Sequence, residues 1–214
     1  MGREHWPLFD LRVVTPRLEL RYPDDELVFA LVDLSSRGIH DPATMPFAIP
    51  WTDQPDGERE AASLQHFWRS RANVTPGEWS LPFAVVVDGE PAGVQDVLAK
   101  DFPTRRTVGT GSWLSSAVQG RGIGQEMRAA VLHLAFEGLG ALVAETAAWH
   151  DNGASLGVTG KLGYEPNGES TELRRDAPDR MLRFRMPRSH WESTLRRDDI
   201  ELHGVEPCLP LLGL

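Results

Sequence analysis

The run Gln119-Gly120-Arg121-Gly122-Ile123-Gly124 has the composition to bind an anion through bare backbone. Before it, Gly109 to Ser116 reads as a strand. After it, Ile123, Met127, Ala130, Val131, Leu134 and Ala135 recur at the spacing of one buried helix face. The glycines therefore open a helix, where unpaired first-turn N–H groups and the positive end of the helix dipole can meet a phosphate or pyrophosphate. Without a Cβ, the chain lets that anion come close. Two nucleotide motifs fail on spacing: a P-loop ends in Gly-Lys-Ser/Thr, whereas Gly124 is followed by Gln125-Glu126, and the dinucleotide fingerprint needs G-x-G-x-x-G. A glycine-rich turn without a ligand stays open as the alternative on these residues alone.

The glycines need a sheet and helices to hold them. Leu18, Leu20 and Tyr22 alternate with charged residues and predict a first strand. Asp24 and Asp25 stand where a helix cap belongs, ahead of Leu27, Ala30, Leu31 and Leu34 in a helix ending near Gly38. Ile39 to Pro55 carries Pro42, Pro46, Pro50 and Pro55 with Phe47 and Trp51. It is too rich in proline for regular structure and too apolar for a solvated linker, which makes it a candidate acceptor wall. A second helix is predicted from about Gly57 to Ala72. Asp88-Gly89 between apolar runs at 83–87 and 93–102 predicts a hairpin, and a second turn at Pro103-Thr104-Arg105-Arg106 leads into a strand over 107–116. Beyond the glycine-opened helix the pattern predicts a buried strand over 141–149, a short helix over 152–162 and closing strands over 164–168 and 181–187. The tail 198–214, with Ile200, Leu202, Val205, Leu209, Leu211 and Leu212, is too apolar to hang free; it predicts docking across a sheet edge or on a partner subunit, most simply in a two-fold homo-oligomer.

Composition narrows the classes. At 214 residues and 41% hydrophobic content the chain suits one α/β-sized domain with a packed core. No apolar run approaches a membrane span or a signal peptide, and Cys208 is the only cysteine, so a cytoplasmic protein without disulfide or thiolate cluster is expected. The net charge of −9 disfavours general nucleic-acid binding. The seven histidines show no metal-ligand spacing, and no metal is expected.

Gln-Gly-Arg-Gly-Ile-Gly at 119–124 matches the Gln/Arg-x-x-Gly-x-Gly/Ala signature of the GNAT (Gcn5-related) N-acyltransferases, where it holds the pyrophosphate of coenzyme A. Thr15-Pro16-Arg17-Leu18-Glu19-Leu20-Arg21 resembles the opening strand of the RimJ/RimL-like branch. Gly111-Ser112-Trp113-Leu114 resembles its pantetheine-pairing strand. Asn152-Gly153-Ala154-Ser155, followed by Lys161-Leu162-Gly163-Tyr164, resembles its N-x-x-S…K-L-G-F/Y element. These landmarks cover about residues 13–188, and the Trp6 and Trp79 stretches are similar to those of an actinobacterial-type group described as succinyl-CoA transferases. The resemblance implies an α+β GNAT fold: a mixed, mostly antiparallel central sheet splayed in the middle and flanked by helices.

It also implies a site. The strands at 107–116 and 141–149 would splay, the backbones of Trp113, Leu114 and Ser115 would pair with pantetheine, and Gln119, Gly120, Arg121, Gly122, Ile123 and Gly124 would take the pyrophosphate. Asn152 and Ser155 would add contacts to the donor; both also suit helix capping. The position of the family's thiolate-protonating tyrosine is Thr159 here, a weaker acid that can relay a proton, while Tyr164 reads as a core residue. For a base the candidates are Asp96, Asp101, Glu145 and His150, with Asp101 assigned to catalysis alongside Thr159. A succinyl carboxylate would need a cation, for which Lys100, Arg105, Arg106, Arg69 and Arg71 are candidates. The implied activity is transfer of an acetyl or succinyl group from acetyl-CoA or succinyl-CoA to an unidentified amine acceptor. The departure at Thr159 motivates a rival reading, an acyl-CoA-binding regulatory protein without catalysis.

Overall fold

In the computed structural model, which describes residues 5–214, the extended runs become β1 (Arg12–Val14), β2 (Glu19–Arg21), β3 (Trp79–Val87), β4 (Glu90–Ala99), β5 (Thr107–Leu114), β6 (Val143–Trp149), β7 (Glu165–Arg174), β8 (Ala177–Pro187) and β9 (Glu201–His203). The helices are α1 (Asp25–Ser36), α2 (Glu58–Ala72), α3 (Phe102–Arg105), α4 (Ile123–His133), α5 (Gly153–Lys161), α6 (Arg188–Thr194) and α7 (Leu209–Leu212). All nine strands join one open sheet in the order β7-β8-β6-β5-β4-β3-β2-β1-β9. Every neighbouring pair is antiparallel except β5–β6. This is the α+β, mostly antiparallel architecture expected.

Strand alternation sorts side chains onto the two faces. On one face Ala84, Val86 and Val94 meet Val28, Leu31 and Val32 of α1 and Phe67 of α2. Val28 and Leu31 are fully buried, each worth roughly 1.5–3 kcal/mol. Helix α1 starts where Asp24 accepts a hydrogen bond from the Leu27 amide at 3.2 Å. On the other face Leu81, Phe83, Val85 and Val97 join the larger core with Met127, Ala130 and Val131 of α4.

Several local expectations change, and the closing strands run longer than expected, as β7 and β8. The turn over 103–106 is the short helix α3, preceded by Asp101 in a left-handed conformation. A strand not foreseen, β1, makes a hairpin with β2 through the register Val13↔Leu20. Helix α6 was also unmarked in the sequence. The tail takes one of the two arrangements expected, docking across the sheet edge of its own chain: β9 pairs with β1 through Val13↔Leu202, and Cys208 and Leu212 are fully buried behind it. Gly204 permits this, because a Cβ there would stand 2.4 Å from the Asp10 carbonyl oxygen and its φ is +72°. With these apolar residues covered by their own chain, the tail gives no reason for an oligomer.

The feature that positions a site is where β5 and β6 part. Their parallel ladder holds only at Thr107↔Val143, Val108↔Ala144 and Gly109↔Glu145, while both strands run five and four residues further, to Leu114 and Trp149. At the crotch side-chain hydroxyls replace the ladder: Thr110 Oγ1 donates to the Glu145 carbonyl and Thr146 Oγ1 to the Thr110 carbonyl, both at 3.3 Å.

Candidate active site

Beyond the crotch the facing edges of β5 and β6 have no strand partner among the described residues. The Ser115 amide donates to the Ala92 carbonyl on β4 at 2.9 Å, and β5 runs in register with β4 from Val108↔Ala99 to Leu114↔Gly93. Antiparallel ladders alternate, so Trp113 and Gly111 also turn their backbone groups to β4, and Ser112 and Leu114 turn theirs into the gap. Of the three residues expected to pair with an extended ligand, Leu114 alone offers its amide. Trp113 and Ser115 are committed to β4, and Ser112 takes the second open position. Trp113 packs on the face of α1 and α2, its ring 6.2 Å from that of Trp51.

The glycine run sits at the open end of the gap. Gly120 and Gly122 have φ of +74° and +82°, and Gly122 is the N-cap of α4 with no side chain capping the first turn. The first amides of the helix are thus left for an outside acceptor. Gly124 lies between α5 and β5, its place for a Cβ at ordinary contact distance, 3.6 Å from Val158 and 3.7 Å from Leu114. The Thr15-Pro16-Arg17 segment holds this loop: Thr15 Oγ1 donates to Glu126 Oε1 at 2.7 Å, and Arg17 donates to the Arg121 carbonyl at 2.7 Å. Ile123 is buried in the core, and Gln119 donates to the carbonyls of Leu114 and Ile39, both at 2.8 Å, so its side chain ties the loop together.

On the far lip Asn152 caps α5, accepting from the Ser155 amide at 3.1 Å, and its Nδ2 donates to the Pro46 carbonyl at 3.4 Å. The proline-rich segment therefore spans the mouth of the gap. It is held at Ile39 by Gln119, at Phe47 by the Trp149 indole at 3.1 Å, and at Met45 by Arg174 Nε at 2.8 Å. Thr159 lies on the inner side of α5 at 1% exposure, and its hydroxyl has no partner among the described residues. Tyr164 is buried in the core.

The candidate acids and bases separate by face. Asp101 is exposed beyond Ala99, at the end of β4 that pairs with the closed end of the gap, and is not brought to the site. Lys100, Arg105 and Arg106 share that end. Arg71 is engaged by Asp25 at 2.7 Å, Arg69 is exposed on α2, and His150 contacts Asp179 at 3.1 Å. Glu145 stands at the last rung of the ladder beside Asn167, in a cleft of about 260 Å³ with Leu98, Gly109 and Ala147. Asp96 shares that face, paired across the strands with Gly111. Its Oδ1 is buried without a partner among the described residues, and burial pushes its carboxyl up to about 7. Because Gly111 has no side chain, nothing on β5 stands between Asp96 and the gap.

Sequence reading missed Arg128 of α4. At 4% exposure it reaches across the floor of the gap, donating to Gln95 Oε1 at 3.4 Å, Thr146 Oγ1 at 3.1 Å and Ser112 Oγ at 3.3 Å. In the sequence it reads as an ordinary helix-surface charge. Its place one residue past the buried Met127 was the only available signal.

Coenzyme A fits what is present: an uncapped helix start for a pyrophosphate, two outward amides for an extended amide-bearing arm, and a buried hydroxyl without a partner at the far lip. Among the described residues no helix is long and apolar enough to cross a membrane. Residues 17–165 match the family model described as an acetyltransferase (GNAT) domain. Mycobacterium smegmatis RimJ in complex with CoA-disulfide is similar at a TM-score of 0.70 and 18% identity, over 94% of this chain and 92% of that one. The RimL ribosomal L7/L12 alpha-N-protein acetyltransferase in complex with coenzyme A gives 0.65 and 21%, over 81% and 96%. A GCN5-related N-acetyltransferase from Brucella melitensis gives 0.67 and 18%, over 85% and 80%. The strand divergence, the glycine-opened helix and the match over more than half of the chain together place this protein in the GNAT acetyltransferase family, whose members move an acyl group from coenzyme A to an amine.

Proposed function

We propose that this protein transfers an acetyl or succinyl group from acyl-CoA to an amine, by direct attack of the amine on the thioester. One observation carries the reading: β5 and β6 stop pairing at Gly109↔Glu145 and leave the Ser112 and Leu114 amides open beside the uncapped start of α4. These amides hold the pantetheine arm as an added strand would and donate to the thioester oxygen as negative charge develops on it. The first-turn amides of α4 hold the pyrophosphate.

The acceptor enters from the face of α1 and α2, between the proline-rich segment and the cleft at Glu145. Asp96 takes the proton from the acceptor's ammonium, directly or through water, and so frees the neutral amine to attack. Its position beside Gly111 and a carboxyl titrating at about 7 suit a base working near neutrality. Thr159 passes a proton from water to the departing thiolate, a role open to a buried hydroxyl that has no partner among the described residues.

Release of free CoA thiol from acetyl-CoA and succinyl-CoA, measured against a panel of amines that includes peptide N-termini, lysine and polyamines, tests the reading. Amine-dependent thiol release is expected. Tight CoA binding with no release for any amine would favour the regulatory alternative.

A further inference from the structure

The floor of the gap holds a cation with no anion. Arg128 is 4% exposed and contacts three neutral oxygens, on Gln95, Ser112 and Thr146; no carboxylate lies within ion-pair distance of it among the described residues. A buried guanidinium is ordinarily matched by a carboxylate or phosphate, because losing water around a charge is costly and neutral hydrogen bonds restore only part of it. Glu126, two residues away, is committed to Thr15 and Arg17 instead. Arg128 also bridges the two strands that part, Ser112 on β5 and Thr146 on β6, so its fork lies where a bound acyl group must pass.

The faces decide which anion it awaits. Asp96, Trp113 and Glu145 lie on one face of the sheet by strand alternation, the side from which the amine arrives, although Thr110 and Thr146 also border the cleft at Glu145. Arg128, Thr110, Ser112 and Thr146 belong to the opposite face, under α4. An acyl chain longer than acetyl cannot occupy the acceptor side without blocking the amine, so it must turn toward α4 and meet Arg128. An acetyl methyl would leave the guanidinium as it is. A chain ending in a carboxylate would complete it with charge-assisted, fork-shaped hydrogen bonds.

We propose that Arg128 is the residue that selects a donor whose acyl chain ends in a carboxylate, a dicarboxylic acyl-CoA of the succinyl type, over acetyl-CoA. The assignment rests on reading the gap as the acyl-CoA site and replaces the surface cations at the closed end as candidates. It involves recognition alone and leaves the transfer step unchanged.

Calorimetry with CoA, acetyl-CoA and succinyl-CoA on the intact protein tests it without an acceptor. Succinyl-CoA should bind about 10- to 100-fold tighter than acetyl-CoA, the range of a charge-assisted pair. In Arg128→Gln that preference should vanish while CoA affinity stays within twofold, and Arg128→Lys should restore part of it. Equal affinities for the two acyl-CoAs in the parent would overturn the proposal, and so would a preference that survives in folded Arg128→Gln. Failure to bind CoA at all would instead sink the reading of the gap. The parent comparison stands even if the variant does not fold.

Discussion

Replacing Asp96 by Asn separates what this carboxyl does for stability from what it does for chemistry. In the folded protein burial raises the acid from 3.8 to about 7, so its ionised form costs about 4 kcal/mol relative to the unfolded chain. The sign follows from proton counts. Between pH 4 and 7 the folded protein holds this proton and the unfolded chain releases it, so stability is full below about pH 4 and falls as the pH rises to about 7. Asn has nearly the same shape and no titration. The variant should match the parent at pH 4 within about 1 kcal/mol and exceed it by about 4 kcal/mol at pH 8. For urea slopes of about 2–3 kcal/mol/M that is a midpoint gain of roughly 1.3–2 M at pH 8, read by circular dichroism. Acyl transfer should move the other way: the parent rate climbs through about pH 7 as Asp96 ionises, and the variant loses about 10²–10⁴-fold together with that climb. Parallel stability curves for the two proteins across this pH range would refute the buried, unpaired state of the carboxyl. A variant as active as the parent would remove Asp96 as the base.

Thr159→Val removes a buried hydroxyl that has no partner, so it should raise stability by about 1 kcal/mol, while a relay role predicts a lower kcat at unchanged CoA affinity; full activity would assign thiolate release to solvent. Ending the chain after Asp199 removes β9 and exposes the ground on which Ile200, Cys208 and Leu212 are buried, a loss of about 5 kcal/mol and a Tm lower by about 10 °C or more. An unchanged Tm would mean that the tail is dispensable. Gly124→Val puts a branched side chain at the helix start proposed to take the pyrophosphate, while its Cβ would meet Val158 and Leu114 at ordinary contact distances of 3.6 and 3.7 Å, so the folded variant should bind CoA at least tenfold more weakly by calorimetry.

The parts legible in the sequence are those set by near neighbours along the chain. The Asp24 cap and the spacing of Leu27, Leu31 and Leu34 announce α1, Asp88-Gly89 announces the β3–β4 hairpin, and Gly120 and Gly122 mark the start of α4 because only glycine adopts their φ freely. What escaped is set by distant pairing. Strand β1 is three residues long; its partner Leu20 is close along the chain, but its other partner, Leu202, lies far away in the sequence, where no local pattern marks the pairing. Which amides open into the gap depends on one hydrogen bond, Ser115 to Ala92, that fixes the alternation of all of β5. Asp96 and Asp101 look equivalent as acidic residues near one turn. The first lies within the strand facing Gly111 and the second lies past its end, a difference that strand length alone decides. In the sequence Arg128 reads like any other arginine on a helix; what its helix packs against sets it apart.

Hydrogen exchange of the β5 amides, followed by NMR with and without CoA, tests the central claim most directly. Trp113 and Ser115 should be protected in the free protein, because they donate to β4. Ser112 and Leu114 should exchange quickly when free and become protected with CoA bound, together with the first-turn amides of α4. Protection of Ser112 and Leu114 that CoA leaves unchanged would contradict the assignment of the β5–β6 gap as the donor site.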